Sequence, residues 1–505
     1  MILNSNDIVV GILWYSYSTK NYTFAKNPNL TKTEFITLVV EKLRHIPTKG
    51  QKQAIVLFAD YLACREKESV MLLKGYAGTG KTTLVSAFVQ TLYDKNIKTV
   101  LLAPTGRAAK VLGNYSSKQA YTIHKEIYKI KYDKNGNERL ELRENEHENT
   151  IFFVDESSMI YDVQPVQNAM SIFQDTNLLF NLLAYVEQGK NCRLVLIGDT
   201  AQLPPVGLPY SPALDAEFLR DNFSKLVFDC ELKEVVRQVK KSGILHNATQ
   251  IRSKIGKQCN APYKFILDKF DDIFMVENHE LLENLESSYQ KYSVENVVVV
   301  TRSNKQANML NKAIRNTILY REDELERGDC VICLKNNYFW LPKESETQFI
   351  ANGDSLEIVR VYNIEEQYGF RFANVRVQLI DYEIDEIDVK LILDALYVEG
   401  AAMTTDSRKQ LFAEVSVDYS HIPSAKKRYD EMKKDPYLNA LQVKFAYAQT
   451  CHKTQGGQWD TVFIYQGFVG ENSLGDEYYR WLYTAFTRAT ERIFLINPVD
   501  KLLTK

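Results

Sequence analysis

The sequence predicts an α/β protein with two parallel-sheet domains, a β-hairpin inserted in the first domain and a small, mainly β insertion in the second. Short apolar runs recur in the first half of the chain, and each is followed by a polar or glycine-containing loop and a helical pattern. These runs are residues 70–73, 99–103, 151–154 and 194–197. Uninterrupted apolar runs separated by helices are typical of strands buried on both faces of a parallel sheet. A second series predicts the second domain, at residues 297–300, 461–464 and 493–496, with helices expected at 305–316 and 477–490.

Two further patterns indicate the insertions. Between about residues 325 and 440 polar and apolar residues alternate, which is typical of a small antiparallel barrel or sheet. In the first domain, residues 127–132 and 138–143 alternate around Asn135-Gly136, and Asn-Gly is a strong hairpin-turn signal. The expected divisions are an N-terminal extension at 1–45, a first domain at 46–230 with its hairpin at about 125–148, a second domain at 231–324 and 441–505, and the β insertion at 325–440.

Composition limits the class of protein. The chain has 505 residues, of which 45% are hydrophobic, so each domain can have a full core. The 62 Lys and Arg residues are balanced by 64 Asp and Glu residues, so binding to a polyanion requires a locally basic cleft.

The seven cysteines are scattered, as expected for reduced thiols in the cytoplasm, and the CxxC pair Cys330 and Cys333 is interpreted as two thiols in a strand. We expect no signal peptide, because the N-terminus carries Asp7 and has no basic region before its apolar stretch, and no membrane span, because no apolar run reaches 18 residues.

The segment Gly75-Tyr-Ala-Gly-Thr-Gly-Lys-Thr82 matches the phosphate-binding loop (P-loop) pattern G-x-x-x-x-G-K-[ST] between an expected strand and an expected helix. Glycines let backbone N–H groups close around phosphates, Lys81 reaches the β and γ oxygens, and the Thr82 hydroxyl ligates Mg²⁺. The expected ATP-binding residues of this loop are Gly75, Gly78, Thr79, Gly80, Lys81, Thr82 and Thr83.

Polar residues follow the next expected strands at the edge where open α/β sheets bind ligands. Asp155 is expected to hold Mg²⁺, and Glu156 to accept a proton from the attacking water. Gln202, in the loop after the strand at 194–197, is a candidate sensor of the γ-phosphate.

These motifs belong to an ordered set. It consists of Thr48-Lys-Gly-Gln51, the P-loop, Leu102-Ala-Pro-Thr-Gly-Arg-Ala-Ala109, Thr122-Ile-His124, Val154-Asp-Glu-Ser-Ser-Met159, Gly198-Asp-Thr-Ala-Gln-Leu-Pro-Pro-Val-Gly207, Glu234-Val-Val-Arg237, Tyr447-Ala-Gln-Thr-Cys-His-Lys-Thr-Gln-Gly456 and Tyr483-Thr-Ala-Phe-Thr-Arg-Ala489. The set resembles the superfamily 1 DNA helicases of the 5′-to-3′ type, in the RecD-like branch that includes the phage Dda-type helicases. It spans residues 48–489, whereas the first 40 residues or so and parts of 325–440 match nothing recognisable.

The resemblance implies two RecA-like domains, an SH3-like insertion and ATP-driven DNA unwinding. It further implies that Gln51 holds the adenine and that Arg237 and Arg488 reach the γ-phosphate from the second domain. The implied strand-binding residues are Pro104, Thr105, Arg107, Thr122 and His124 on one domain and Thr301, Asn304, Thr450, His452 and Lys453 on the other. Their hydroxyls, amides and cations suit phosphate oxygens, which bind without sequence readout.

In RecD-like helicases an insertion at the position of the hairpin forms a pin that splits the duplex, and Asn135 and Gly136 mark its expected tip. The expected function is an ATP-dependent helicase, cytoplasmic and monomeric, that acts on single-stranded DNA and duplex junctions in repair or recombination. Two alternatives remain: a nucleotide-switched P-loop ATPase, and a helicase-like subunit of a nuclease complex. The only internal nuclease candidate, the carboxylate-rich segment 381–390, is better interpreted as a polar-faced strand.

Overall fold

The computed structural model describes residues 23–24, 27–43, 45–132, 138–162, 177–235, 242–256, 263–337, 339–341, 349–380, 385–400, 402–469, 474–499 and 502–503. The first domain contains a six-stranded parallel sheet with helices on both faces. Its elements in chain order are β1 (Thr23–Phe24), β2 (Asn27–Thr31), α1 (Lys32–Lys42), α2 (Lys49–Ala63), β3 (Ser69–Gly75), α3 (Lys81–Asp94), β4 (Lys98–Ala103), α4 (Gly106–Ser116), β5 (Ala120–Thr122), α5 (Ile123–Ile127), β6 (Tyr128–Tyr132), β7 (Glu138–Leu142), β8 (Thr150–Val154), α6 (Leu178–Gln188), β9 (Arg193–Gly198), α7 (Ala216–Phe223) and β10 (Leu226–Leu232).

The strand order of this sheet is β10-β3-β9-β8-β4-β5. The four predicted strands occupy its centre, and all five residues of β8 are buried, as expected for a parallel sheet covered on both faces. One face packs against α1, α2 and α3, where the rings of Phe58 and Phe88 stack with centroids 4.2 Å apart. The carboxyl ends of β3, β4, β5, β8 and β9 therefore lie along one edge, and each motif of the first domain begins at the end of one of these strands, except Thr48–Gln51, which begins α2.

The second domain contains a five-stranded parallel sheet in the order β11-β20-β19-β12-β18. Its elements are α8 (Gly243–Arg252), β11 (Ile273–Val276), α9 (Leu281–Tyr292), β12 (Val297–Thr301) and α10 (Asn304–Thr317) before the insertion, and β18 (Ala448–Thr450), β19 (Trp459–Tyr465), α14 (Asp476–Phe486) and β20 (Ala489–Ile496) after it. The predicted strands at 297–300, 461–464 and 493–496 are confirmed as β12, β19 and β20.

The insertion is a closed five-stranded barrel. Its elements are β13 (Cys330–Cys333), β14 (Ser355–Gln367), β15 (Phe370–Leu379), β16 (Ile387–Ile392), α11 (Asp394–Tyr397), α12 (Thr405–Asp418), α13 (Ala425–Met432) and β17 (Leu441–Phe445). Cys330 and Cys333 are the end residues of β13, which confirms that this pair lies in a strand. In the carboxylate-rich segment, Asp388 lies in β16 and pairs with both Nε and Nη2 of Arg376, at 2.8 and 2.9 Å.

The predicted hairpin is present as the antiparallel pair β6 and β7, in which Ile130 faces Leu140. The hairpin is attached to the first domain at its base, where the Arg143 backbone N–H donates to Ile127 O at 2.8 Å and the buried Tyr128 hydroxyl accepts from Asn181. The expected tip residues Asn135 and Gly136 lie outside the described residues.

Three sequence expectations need correction. Residues 32–42 were expected in an extension, but they form α1, whose residues Phe35 and Val39 are fully buried in the first core. The insertion extends past 440, because β17 pairs with both β13 and β16 to close the barrel. The helix expected at 477–490 ends at Phe486, since Ala489 already begins β20. None of the described helices is long and apolar enough to cross a membrane.

Candidate nucleotide and nucleic-acid sites

The P-loop connects β3 to α3 through two glycines in the left-handed region. Gly78 has φ 72° and Gly80 has φ 78°. Residues that carry a Cβ adopt such backbone angles only at a cost in conformational energy. A Cβ on Gly78 would also lie 2.6 Å from Leu245 Cδ2, in α8 of the second domain. The loop is therefore shaped by its own backbone conformation and by close contact with the second domain.

The predicted loop residues lie together at the start of α3. Lys81, Thr82 and Thr83 are its first three residues, and the Lys81 ammonium donates to Tyr76 O at 3.1 Å and to Gly75 O. Gln51 is fully buried: it forms a capping box with Thr48 at the start of α2, and its Nε2 donates to Thr79 O at 3.1 Å. Gln51 thus fixes α2 to the P-loop, and its role at the adenine remains a prediction.

Asp155 and Glu156 follow β8 directly. Burial first, and then the neighbouring Glu156, raise the pKa of Asp155 to about 6. Its Oδ1 accepts the Glu156 backbone N–H at 2.8 Å, and Glu156 itself has φ 50°. This left-handed residue turns the chain sharply after the strand, so the second carboxylate is presented at the sheet edge.

Arg488 brings a cation from the second domain to these carboxylates. Its Nη1 lies 3.8 Å from Glu156 Oε1, and the residue is only 3% exposed. Nε donates to Thr484 O at 3.1 Å, Nη1 to Gly457 O at 3.2 Å and Nη2 to Thr487 Oγ1 at 2.9 Å. The guanidinium is therefore held by three hydrogen bonds within its own domain while it faces Glu156 of the first domain.

Gln202 lies in the loop after β9 and is 6% exposed. Its Oε1 has no hydrogen-bond partner within the described part of the chain. A buried carboxamide oxygen without a donor is costly, so a ligand group or water that donates there is favoured. The position of Gln202 beside the γ-phosphate stays a prediction.

Helix α14 holds both phosphate-side loops of the first domain through residues that the sequence analysis did not single out. The Tyr483 hydroxyl accepts the P-loop N–H of Ala77 at 2.9 Å and donates to Asp199 Oδ2 at 2.6 Å. Thr484 Oγ1 accepts Leu203 N–H at 2.9 Å, and Arg480 donates to the carbonyls of Thr200 and Gln202. Positions 480, 483 and 484 share one helical face, and this spacing is the sequence signal that could have identified them.

The predicted strand-binding residues lie where strands end on both sheets. Pro104 and Thr105 follow β4 and Asn304 begins α10, while Thr301 and Thr450 are register partners at the ends of β12 and β18. Several of the hydroxyls have internal partners. Thr105 caps α4 and Thr122 caps α5, and Thr301 donates to Ser303 O at 3.1 Å. These threonine hydroxyls therefore stabilise the local backbone where the strands end, and their contact with a phosphate stays a prediction.

Arg107 makes an interdomain contact. Its guanidinium lies 3.9 Å from the ring centroid of Trp459 and donates to Gln458 O at 3.0 Å. Gly456 belongs to the same contact, because a Cβ there would lie 2.6 Å from Ala108 Cβ. The structure therefore places Arg107 between the two sheets, against the second domain.

The other basic side chains are half-buried, and burial changes their titration. Burial lowers the pKa of His124 to about 4 and also lowers the pKa of His452, so both imidazoles are neutral near pH 7. Burial and the nearby Lys444 lower the pKa of Lys453 to about 8. Arg237 lies outside the described residues.

Comparisons with known proteins agree with this site. Residues 48–260 match the family model described as AAA domain, and residues 445–496 match the UvrD-like helicase C-terminal domain. The chain is 25% identical over 477 residues to the ATP-dependent DNA helicase dda of Enterobacteria phage T4, a match that covers 89% of this chain and 99% of that protein. Over most of its length the chain is similar to the superfamily 1 helicases of the Dda and RecD type.

Two further proteins are similar to this chain. It is 32% identical over 166 residues to the ATP-dependent RecD2 DNA helicase of Deinococcus radiodurans, covering 32% of this chain and 20% of that protein. The crystal structure of Pif1 helicase from Bacteroides in complex with ADP-AlF3 and ssDNA is 15% identical, with 91% of this chain and 95% of that chain covered and a TM-score of 0.46.

The donor set at the nucleotide edge of this helicase fits a magnesium ion. Asp155 Oδ1 has one hydrogen-bond donor, and no donor to Oδ2 is found among the described residues. A carboxylate with a raised pKa and a free oxygen gains most from a cation. With the hydroxyl of Thr82 at the start of α3, it supplies the oxygen ligands that Mg²⁺ prefers, alongside phosphate oxygens.

Proposed function

We infer that this protein is an ATP-dependent DNA helicase that moves 5′ to 3′ along single-stranded DNA and separates duplex DNA at junctions. The observation that carries this inference is the position of Arg488 beside Glu156 across the domain boundary, at 3.8 Å. A nucleotide-dependent switch can take its arginine from a partner protein and does not require one on a second sheet of its own chain. A motor requires such an arginine, because the bound nucleotide then controls how closely the two domains approach each other.

The first domain binds the nucleotide in this proposal. The P-loop amides and the Lys81 ammonium contact the β- and γ-phosphates, and Gln51 contacts the adenine. Thr82 and Asp155 hold Mg²⁺, which neutralises charge on the phosphate oxygens. Burial of Asp155 strengthens its preference for a bound cation over solvent.

Hydrolysis requires a base and a group that orients water. Glu156 accepts the proton of the attacking water, whose oxygen forms the new bond to the γ-phosphorus as the bond to the β–γ bridging oxygen breaks. Gln202 Oε1 accepts a second hydrogen bond from that water, which satisfies its otherwise unpaired oxygen. Arg488, with Arg237 as its expected companion, stabilises the charge on the transferred phosphoryl group.

Movement follows from linkage between the domains. ATP favours the closed cleft because it is bound from both sides, and hydrolysis removes that preference. The strand ends at Thr105, Thr122, Thr301 and Thr450 lie on both sheets, so relative motion of the sheets changes their spacing along a bound strand. Single-stranded DNA and duplex junctions are thus the proposed substrates, in repair or recombination, with the protein acting as a monomer or with a nuclease or repair partner.

One unwinding experiment tests the proposal. The protein is given duplexes with a 5′ tail, a 3′ tail or an RNA strand, and Lys81→Ala serves as the ATPase-deficient control. We expect ATP-dependent unwinding of the 5′-tailed DNA and none by the control. ATP hydrolysis that is unaffected by DNA, with no unwinding of any substrate, would instead favour a nucleotide-switched ATPase.

A further inference from the structure

Tyr483 links three parts of the molecule through a single hydroxyl group. It projects from α14 of the second domain, accepts the P-loop N–H of Ala77 at 2.9 Å and donates to Asp199 Oδ2 at 2.6 Å. The side chain is 1% exposed, as is Asp199. The contact is thus shielded from water, where a hydrogen bond to a carboxylate is strong.

The direction of these hydrogen bonds is fixed by chemistry. Burial raises the pKa of Tyr483 well above its usual value, so the phenol remains protonated and has one proton to donate. Asp199 Oδ2 accepts this hydrogen bond, and Asp199 Oδ1 accepts the Ala201 N–H at 2.9 Å. The backbone N–H of Ala77 donates to the phenol oxygen, so all three groups are satisfied at once.

Both loops that Tyr483 joins contact the phosphate chain in the proposed mechanism. Ala77 lies in the P-loop, four residues before Lys81, and Asp199 begins the loop that carries Gln202. Five residues after Tyr483, Arg488 faces Glu156. One segment of the second domain therefore fixes the P-loop, the Gln202 loop and the position of the arginine.

We propose that Tyr483 is a positioning residue for ATP hydrolysis, whose hydroxyl aligns the P-loop with the Gln202 loop when the second domain closes. The proposal rests on the proposed helicase function. Neighbouring contacts serve the same alignment: Thr484 accepts Leu203 N–H at 2.9 Å, and Gln455 Nε2 donates to Leu203 O at 2.8 Å. Tyr483 differs from these because it alone reaches the P-loop as well.

The test is Tyr483→Phe, which removes the hydroxyl and keeps the ring. A matched control is Tyr478→Phe on the same helix, since the Tyr478 hydroxyl is also buried but donates to Gln466 Oε1 at 2.6 Å within the second domain. For each variant the kcat and KM of ATP hydrolysis are measured with saturating single-stranded DNA, normalised to the fraction that binds a fluorescent ATP analogue. The melting temperature is measured in parallel.

We expect Tyr483→Phe to lower kcat by about tenfold while KM for ATP changes less than about twofold, because misplacement of bound groups slows the chemical step more than binding. Tyr478→Phe should keep the wild-type kcat per binding-competent molecule. An unchanged normalised kcat in Tyr483→Phe, or equal losses in both variants that follow their melting temperatures, would show a structural role only. If the wild-type protein itself does not hydrolyse ATP, the helicase function fails first, so the two failures are distinguishable.

Should Tyr483→Phe unfold at the assay temperature, all proteins are assayed at low temperature and Thr484→Val provides the second variant. It removes the hydroxyl that accepts Leu203 N–H and leaves the Tyr483 bridge in place. A kcat that falls less than in a Tyr483→Phe protein assayed at low temperature supports the bridge. An equal or larger loss would assign the alignment to the Leu203 contact and overturn the proposal.

Discussion

Arg488 Nη1 lies 3.8 Å from Glu156 Oε1, and these two side chains come from different domains. The distance is longer than that of a direct hydrogen bond, and all three guanidinium nitrogens already donate to Thr484, Gly457 or Thr487. The arginine is therefore aligned by its own domain and does not depend on Glu156 for its orientation. Such pre-organisation lets a cation stabilise developing charge without reorganisation during the reaction.

Replacement of Arg488 by lysine should abolish most ATP hydrolysis. Lysine keeps the charge but loses the planar fork, and arginine groups that act on a transferred phosphoryl group contribute about a hundredfold or more to kcat. The rate of phosphate release at saturating ATP and single-stranded DNA measures this effect. Arg492→Lys is the matched control, since Arg492 follows Arg488 closely in the chain but lies in β20, where its guanidinium is 5.7 Å from the ring centroid of Phe274. Wild-type turnover in Arg488→Lys would exclude a role for this arginine at the phosphate.

The raised pKa of Asp155 predicts an acid limit of activity near pH 6. Below that pH the carboxyl group binds a proton, and above it the ionised form is available to a metal ion. Since proton and metal compete, a tenfold increase in Mg²⁺ concentration should move the midpoint of the kcat/KM profile to lower pH. A midpoint that stays fixed at every Mg²⁺ concentration would assign the titration to another group.

Lys453 should make DNA binding sensitive to alkaline pH. Its pKa of about 8 means that the free side chain loses its proton between about pH 7 and about pH 9, whereas an ordinary lysine titrates near pH 10.4. Phosphate contact favours the protonated ammonium, so binding requires proton uptake and Kd rises with pH, approaching about tenfold per pH unit well above the pKa. Fluorescence anisotropy with labelled single-stranded DNA measures this slope.

The control for this effect is Lys453→Arg, which stays charged throughout the range. The difference between the two slopes separates the titration of Lys453 from that of other lysines with a lowered pKa, such as the buried Lys444. Identical slopes for wild type and Lys453→Arg would show that Lys453 does not contact phosphate.

Local patterns allowed the central strands and the P-loop to be predicted. The apolar runs that became β3, β8, β9 and β12 are continuous because both faces of a parallel sheet are covered. The strand β10 was missed because it lies at the sheet edge and most of its residues are partly exposed, which leaves no continuous apolar run. The short strands β5 and β18 have three residues each, too few for a pattern.

Contacts between distant residues were beyond the reach of local patterns. Arg107 has the chemistry of a phosphate ligand, yet it stacks on Trp459, and nothing near either residue in the sequence indicates this pair. The helix expected at 477–490 ends at Phe486 because Thr487 and Arg488 turn toward Gly457 and the carboxylates of the first domain. Tertiary hydrogen bonds there override a local helical preference.

The hairpin of β6 and β7 should be needed for unwinding and dispensable for hydrolysis. Tyr128 and Leu142, at its base, pack in the first core, so removal of all of residues 128–142 would damage the domain. A sharper variant replaces only residues 130–140 with a short Asn-Gly turn and keeps the base, where Arg143 Nε donates to Tyr128 O at 2.6 Å. Each base-pair step contributes ~1.4 kcal/mol of stacking, so a pin that prevents re-annealing is worth about tenfold in rate per step.

The trimmed protein should therefore hydrolyse ATP within about twofold of wild type on single-stranded DNA and unwind a forked duplex about tenfold more slowly. A stopped-flow assay with a fluorophore and quencher on the fork measures unwinding, and translocation on single-stranded DNA under the same conditions is the control. In the proposed mechanism translocation depends on the strand ends of the two sheets and not on the hairpin, so it should be unchanged. Equal losses of hydrolysis, translocation and unwinding would mean that the hairpin supports the first domain and does not act as a wedge.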